Sequence, residues 1–361
     1  MSLRHLLFLG VLAGGVTIVA TPFVKRFCLR FGIVDHPGGR KVHASAVPRL
    51  GGVALFLGFL VALAAQMAGE TYFGWGGGLL DSTRQLLTVL VGIAIVFFVG
   101  VIDDVFTLSA GAKFVGQLAA AAIVMSSGLR IDYVGSPLTG GLIQLGLLGI
   151  PITLLYITGF TNVINLIDGL DGLAAGVTAI SAGTFLVLAA QSNHLQAAAL
   201  SATLVGACLG FLRFNSHPAS IFMGDSGALF LGFTLAVISL VGVMKTVAAI
   251  ALAVPLIIIG VPIFDTASAI VRRLRHKRPI QEADSGHIHH RLLGRGFDQR
   301  QTVLIIYVWS IALAVGGYAM RWAPSPIKYG VLAVLALLTA VMSYWLGLFE
   351  AAHHHAEEGD V

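Results

Sequence analysis

QLLTVLVGIAIVFFVGVIDD, residues 85–104, runs from Leu86 to Ile102 without a charge and then ends on two adjacent carboxylates. In a helix rising about 1.5 Å per residue, a run of this length crosses a hydrocarbon core roughly 30 Å thick. The acid pair at its end is costly in a membrane unless a cation, a hydrogen-bond network or a raised pKa matches it. The run therefore reads as a transmembrane helix that surfaces at Asp103 and Asp104.

Ten further runs have the same character, at about 5–24, 50–68, 114–128, 140–160, 173–190, 197–213, 227–244, 247–271, 302–321 and 328–348. The fourth in chain order, 114–128, is short, and the fifth, 140–160, contains Pro151 and several glycines, so ten spans is the alternative count. The fold class expected is an all-α integral membrane protein of about eleven transmembrane helices. Residues 1–349 form one polytopic domain and 350–361 a cytoplasmic tail. Composition agrees: 57% of the 361 residues are hydrophobic and 11% charged, against about 25% charged in soluble domains. The net charge of +5 would suggest nucleic acid on a soluble protein; here its placement matters more, and no nucleic-acid partner is expected. Cys28 and Cys208 suggest neither a disulfide nor a metal site.

Of the 22 lysines and arginines, 16 fall in the loops 25–49, 103–113, 213–226 and 272–301, which all lie on one side. That side is expected to be cytoplasmic. Lys25, Arg26 and Arg30 follow the first run directly and resist translocation, so it reads as an uncleaved helix with its N-terminus outside rather than a signal peptide. Of the 17 acids, 14 lie on or near the same side. Basic residues set topology and acids do not, so both signs gathered at one face point to polar chemistry there.

Five segments carry that chemistry. DHPGGRKVHASAVPRLGG (35–52) is turn-rich and offers Arg40, Lys41, His43 and Arg49 to phosphate oxygens; a purely topogenic loop is the alternative. GVIDDVFTLSAGAKFVGQ (100–117) adds Lys113, the nearest cation to the acid pair. In NVINLIDGLDGLAAG (162–176), Asn162, Asn165, Asp168 and Asp171 recur every three residues, which drifts too far for one straight helical face. A turn or broken helix is expected, permitted by Gly169 and Gly172, with oxygens suited to Mg²⁺ or to a base and ribose. SIFMGDSGALFLG (220–232) sets Asp225 among glycines at the start of a span, as a helix cap or a metal carboxylate. Finally, GHIHHRLL (286–293) clusters His287, His289 and His290 beside Arg291, as zinc ligands or diphosphate donors. Asp265, inside the ninth run, is either functional or paired with an arginine.

In this order the five segments, spanning residues 35 to about 301, resemble the polyprenyl-phosphate N-acetylhexosamine-1-phosphate transferases. The H-I-H-H form looks more like the UDP-N-acetylglucosamine enzymes that start O-antigen, enterobacterial common antigen or teichoic acid synthesis. The phospho-N-acetylmuramoyl-pentapeptide branch usually carries three adjacent histidines there. The resemblance implies catalytic cytoplasmic loops in a bacterial inner-membrane enzyme that transfers N-acetylglucosamine-1-phosphate from UDP-N-acetylglucosamine to undecaprenyl phosphate, with a homodimer left open. It implies Mg²⁺, or alternatively Mn²⁺, at Asp225 and Asn165. It further implies catalytic roles for Asp103 and Asp104, one of which would deprotonate the lipid phosphate or act as a nucleophile, and phosphate contact by Lys113. Asp168 and Asp171 would lie at the nucleotide, with Asn162, Arg40, Lys41 and His43 also binding substrate. His287, His289, His290 and Arg291 would hold the diphosphate. A secondary transporter, the rival of another class, would place its polar residues near the bilayer midplane in related halves; here they sit in loops on one side and no halves match.

Overall fold

The computed structural model describes residues 3–36, 46–75, 79, 83–135, 141–243, 253–275, 277 and 286–349. Among these, nine helices are long and apolar enough to cross a membrane, and the chain is a multi-pass, all-α membrane protein. The long helices are α1 (Leu3–Phe31), α2 (Gly51–Phe73), α3 (Thr83–Phe106), α5 (Gly149–Ile167), α6 (Leu173–Gln191), α7 (Leu195–Asn215), α8 (Gly224–Val243), α12 (Gln299–Trp322) and α13 (Ser325–Leu346). The shorter α4 (Ala110–Met125) is apolar as well. α9 (Ala253–Ile258), α10 (Gly260–Arg275) and α11 (Ile288–Gly294) complete the set.

The expected runs find their helices with three amendments. The ninth run is divided: α9 ends at Ile258 and α10 begins at Gly260. The fifth begins later than expected, because residues 142–148 form a short strand and a 3-10 turn. Pro151 then falls in the first turn of α5, where its missing N–H costs no helical bond. The stretch between the fifth and sixth runs is half helix, since α5 continues to Ile167. Two small antiparallel pairs escaped notice in the sequence, β1 (Val34–Asp35) with β2 (Val47–Pro48) and β3 (Tyr133–Gly135) with β4 (Leu142–Gln144).

α8 is the centre of the bundle. It packs on α2, α3, α5, α6 and α7, and 89% of the span Gly224–Gly242 is buried inside the protein, against 11% for α13. In a membrane, lipid is as apolar as leucine, so packing rests on close approach rather than on hydrophobic exclusion. α1 and α7 use this directly: Gly10 and Gly14 face Gly206 and Gly210, and a Cβ added at Gly206 would lie 2.0 Å from the Gly10 carbonyl oxygen. Phe56 of α2 stacks on Phe97 of α3 with ring centroids 3.9 Å apart and meets Phe230 of α8 edge-on. These contacts fix the ends of α3, α5 and α8 beside one another, and the polar residues lie at those ends.

Candidate active site

The N-terminus of α8 leaves backbone N–H groups without helical partners. Sequence reading offered Asp225 as its own cap; the structure assigns that job to Asp104. One carboxylate oxygen of Asp104 accepts the N–H of Asp225 at 2.8 Å and the other the N–H of Ser226 at 3.0 Å. Gly224 makes the approach feasible. Its φ is +69°, and a Cβ there would lie 2.2 Å from the Arg49 carbonyl oxygen and 2.5 Å from Asp104. The Asp225 side chain is thereby left to other work: Asn165 Nδ2 donates to it at 2.5 Å, and Lys113 Nζ stands 3.9 Å from its other oxygen. Lys113 also pairs with Asp103 at 2.9 Å, while the second Asp103 oxygen accepts the N–H of Leu108 at 2.6 Å. Lys113 thus bridges two of the acids, as the sequence suggested for the first of them.

Asn162 and Asn165 occupy the last turns of α5, Asp168 caps it, and Gly172, at φ +79°, turns the chain into α6. Only Gly172 of the two expected glycines adopts a left-handed conformation. Asn162 forms a two-way amide pair with Gln117 of α4, at 2.6 and 3.3 Å. The 168–172 turn is held from α7 and α12: Asn215 Oδ1 accepts the Gly172 N–H at 3.1 Å, and Tyr307 donates to the Gly172 carbonyl at 2.6 Å. Asp171 bonds His217 Nδ1 at 2.8 Å and the Ala219 N–H at 3.0 Å. Asn215 and His217 were missed in the sequence; the polar run NSHPAS (215–220) between two apolar helices was their signal. Partial burial, and then the charges of Asp225, Asp104 and Asp171, push the Asp168 carboxyl up to about 8.

The histidines sit on α11. His287 is buried and bonds Asp265 at 2.9 Å, and the other Asp265 oxygen takes the Ile288 N–H at 2.8 Å. Asp265 therefore pairs with a histidine, where an arginine was the sequence alternative. His289 is buried, and burial, followed by the neighbouring His290 and His287, lowers it to about 3, so it is neutral at neutral pH. Three arginines tie this region to the end of α13: Arg272 donates to Leu348 O at 2.6 Å, Arg291 to Leu346 O at 3.5 Å, and Arg295 to Trp345 O. Arg295 also lies over the Trp345 ring, 4.8 Å from its centroid.

Asp104, Asn165, Asp168, Asp171, Asp225, His289 and His290 line one cavity of about 760 Å³, joined by Asp35, Arg49, Asn215, His217 and Gln299. Asp103 and Lys113 are not among the lining residues; Lys113 Nζ lies 2.9 Å from Asp103 and 3.9 Å from Asp225. Asn162, His287 and Arg291 are not among the lining residues; their side chains bind Gln117, Asp265, and the Gly286 and Leu346 carbonyls respectively. Arg40, Lys41 and His43 lie outside the described residues. As a metal site, the Asp225–Asn165 corner offers oxygen donors, which suit a hard cation. Among the described residues no three His, Cys, Asp or Glu side chains could enclose an ion by themselves. The three histidines thus do not form a zinc site by themselves, and the oxygen donors of the Asp225–Asn165 corner are of the kind Mg²⁺ takes beside waters and phosphates.

This cavity, ringed by carboxylates at one end of a bundle of membrane-spanning helices, is the candidate active site of a membrane protein. The sequence comparisons say which kind: residues 86–243 match the model of glycosyl transferase family 4, and the chain belongs to that family. It is 39% identical to a probable undecaprenyl-phosphate N-acetylglucosaminyl 1-phosphate transferase of Bacillus subtilis, over 92% of this chain and 89% of the relative. It is 35% identical to a decaprenyl-phosphate N-acetylglucosaminephosphotransferase of Mycolicibacterium smegmatis, over 95% of this chain and 89% of the relative. A phospho-N-acetylmuramoyl-pentapeptide-transferase of Halalkalibacterium halodurans is 31% identical over 86% of this chain and 95% of its own length.

Proposed function

We propose that this chain transfers N-acetylglucosamine-1-phosphate from UDP-N-acetylglucosamine to undecaprenyl phosphate, releasing UMP on the cytoplasmic side of a bacterial inner membrane. The observation that carries the reading is convergence: residues from segments as far apart in sequence as Asp104, Asp168, Asp225 and His290 line a single cavity. The donor is a water-soluble anion and the acceptor an oily chain with a phosphate head, so they meet only at a membrane surface. A cavity formed by the ends of membrane helices answers that requirement.

An oxygen of the lipid phosphate attacks the sugar-bearing phosphorus, a new P–O bond forms, and the bond to the other phosphate breaks with its electron pair leaving on UMP. Mutual repulsion of the anions is the first obstacle. Lys113 and the histidine donors oppose it, and each such donor contributes on the order of 10²–10³ in rate at preorganised sites. A Mg²⁺ held by Asp225 and the Asn165 oxygen would neutralise charge on the diphosphate. The acceptor's proton goes to one of the two adjacent acids, of which Asp104 lines the cavity and Asp103 pairs with Lys113. Asp168 and Asp171 hold the departing nucleotide.

Purified protein, Mg²⁺, a panel of UDP-sugars and both undecaprenyl and decaprenyl phosphate test this directly. UMP release with a lipid-linked product from UDP-N-acetylglucosamine is expected. Turnover only with a UDP-muramoyl-pentapeptide would overturn the donor, and labelled phosphosugar trapped on the protein without lipid would overturn direct attack.

A further inference from the structure

Among the described residues the cavity lining is rich in acids. Five carboxylates line it, those of Asp35, Asp104, Asp168, Asp171 and Asp225, while Arg49 supplies the one lysine or arginine among the described lining residues. Proximity would be expected to pair Arg49 with one of those acids. Among the described residues it makes no ion pair, and its guanidinium gives one hydrogen bond, to the backbone carbonyl of Asp104. A guanidinium carries five N–H donors in a planar fork, so most of its capacity is not spent on the described residues.

The backbone that carries Arg49 is also built in place. Pro48 accepts the Phe222 N–H at 2.8 Å, Gly51 donates to Phe222 O at 2.9 Å, and Gly52 donates to Met223 O at 2.8 Å. The segment 48–52 is thereby stitched to the residues immediately before Gly224 and Asp225. Pro48 is paired with Val34 on its other side. The cation thus has a fixed seat next to the helix end that bears Asp225, and the other lysine, arginine, aspartate and glutamate side chains among the described lining residues are all carboxylates.

We propose that Arg49 binds a phosphate group of one of the two substrates, by a charge-assisted fork that suits phosphate oxygens. The assignment rests on the proposed transfer reaction for the identity of those substrates. The phosphate is either the lipid head group or the nucleotide diphosphate, and the two sources separate by kinetics. The competing role is structural: one bond to the Asp104 carbonyl at the end of α3, where carbonyls lack helical partners.

Arg49→Lys, Arg49→Gln and Arg49→Ala distinguish these roles. Gln keeps a donor for the Asp104 carbonyl but not the charge. If Arg49 binds phosphate, Gln and Ala both raise KM for one substrate by about 10-fold or more, and Lys by less, because the charge is lost in the first two and kept in the third. The substrate whose KM rises identifies the phosphate, lipid or nucleotide. Wild-type KM for both substrates in Arg49→Gln would overturn the assignment, as would a loss confined to kcat in all three variants. Wild-type protein run in parallel tests the transfer reaction itself. Should it turn over no donor, that reaction fails, and Arg49 is judged by inorganic pyrophosphate: stabilisation of the wild-type protein that Arg49→Gln abolishes supports it, and equal stabilisation of both, or none, overturns it.

Discussion

The carboxylate of Asp104 holds the backbone N–H of Asp225 at 2.8 Å. One acid of the site therefore sets the position from which another acts, and adjacent Asp103 and Asp104 have divided duties. Asp103 faces Lys113, while Asp104 ends the helix that crosses the middle of the bundle.

This division makes Asp104 a structural as well as a functional residue. Asp104→Ala leaves two N–H groups at the α8 terminus without their acceptor, which costs about 1–3 kcal/mol for each such buried group. Thermal unfolding in detergent is expected to drop clearly for Asp104→Ala and less for Asp104→Asn, which keeps one acceptor oxygen. Transfer activity falls in both. Unchanged unfolding in Asp104→Ala would mean that the helix end finds another partner.

Asp225→Ala removes a side chain whose backbone position is secured by others, so the fold is expected to survive. Transfer, read as UMP release across a Mg²⁺ titration, is expected to vanish and not return at high Mg²⁺. Full activity in this variant would remove Asp225 from the site.

Asp168 links pH to stability. Its carboxyl is raised to about 8 in the fold, against about 3.9 in an unfolded chain. Between those values the native state binds a proton that the unfolded state has released, so stability falls as pH rises through that window. In EDTA, Asp168→Asn is expected to lose that decline and to melt higher than wild type at pH 8, while losing transfer. Parallel pH profiles for the two proteins would contradict the assignment.

His289 has the opposite sign. Its imidazole is lowered to about 3 from about 6.5 when unfolded. Below pH 6.5 the unfolded chain takes up a proton that the native state refuses, so acid destabilises the fold progressively toward pH 3. His289→Asn is expected to narrow the difference in melting temperature between pH 7 and pH 5. A histidine that protonates freely in place would leave that difference as in wild type.

The helices were largely legible in the sequence because lipid demands long uncharged runs, and runs such as 85–102 admit few other readings. The break between α9 and α10 was not legible, since the run 247–271 stays apolar across it. Within the site, sequence spacing put Asn162, Asn165, Asp168 and Asp171 together but could not tell which faced the cavity. α5 continues through the first two, so Asn162 turns to Gln117 while Asp168 and Asp171 reach the opening. His217 and Asn215 went unnoticed because their roles depend on α7 ending beside the 168–172 turn, a contact between distant parts of the chain. The pairing of Asp265 with His287 likewise spans a loop whose path no local pattern specifies.

The grip of Arg272, Arg291 and Arg295 on the carbonyls of Leu348, Leu346 and Trp345, at and just past the end of α13, has a practical meaning. That helix contributes little to the interior, so trimming the chain at Tyr344 would look harmless to an engineer judging by packing alone. It would nevertheless untether the short segment bearing His289 and His290. Affinity tags and reporter fusions belong after Phe349, never in exchange for the turn before it.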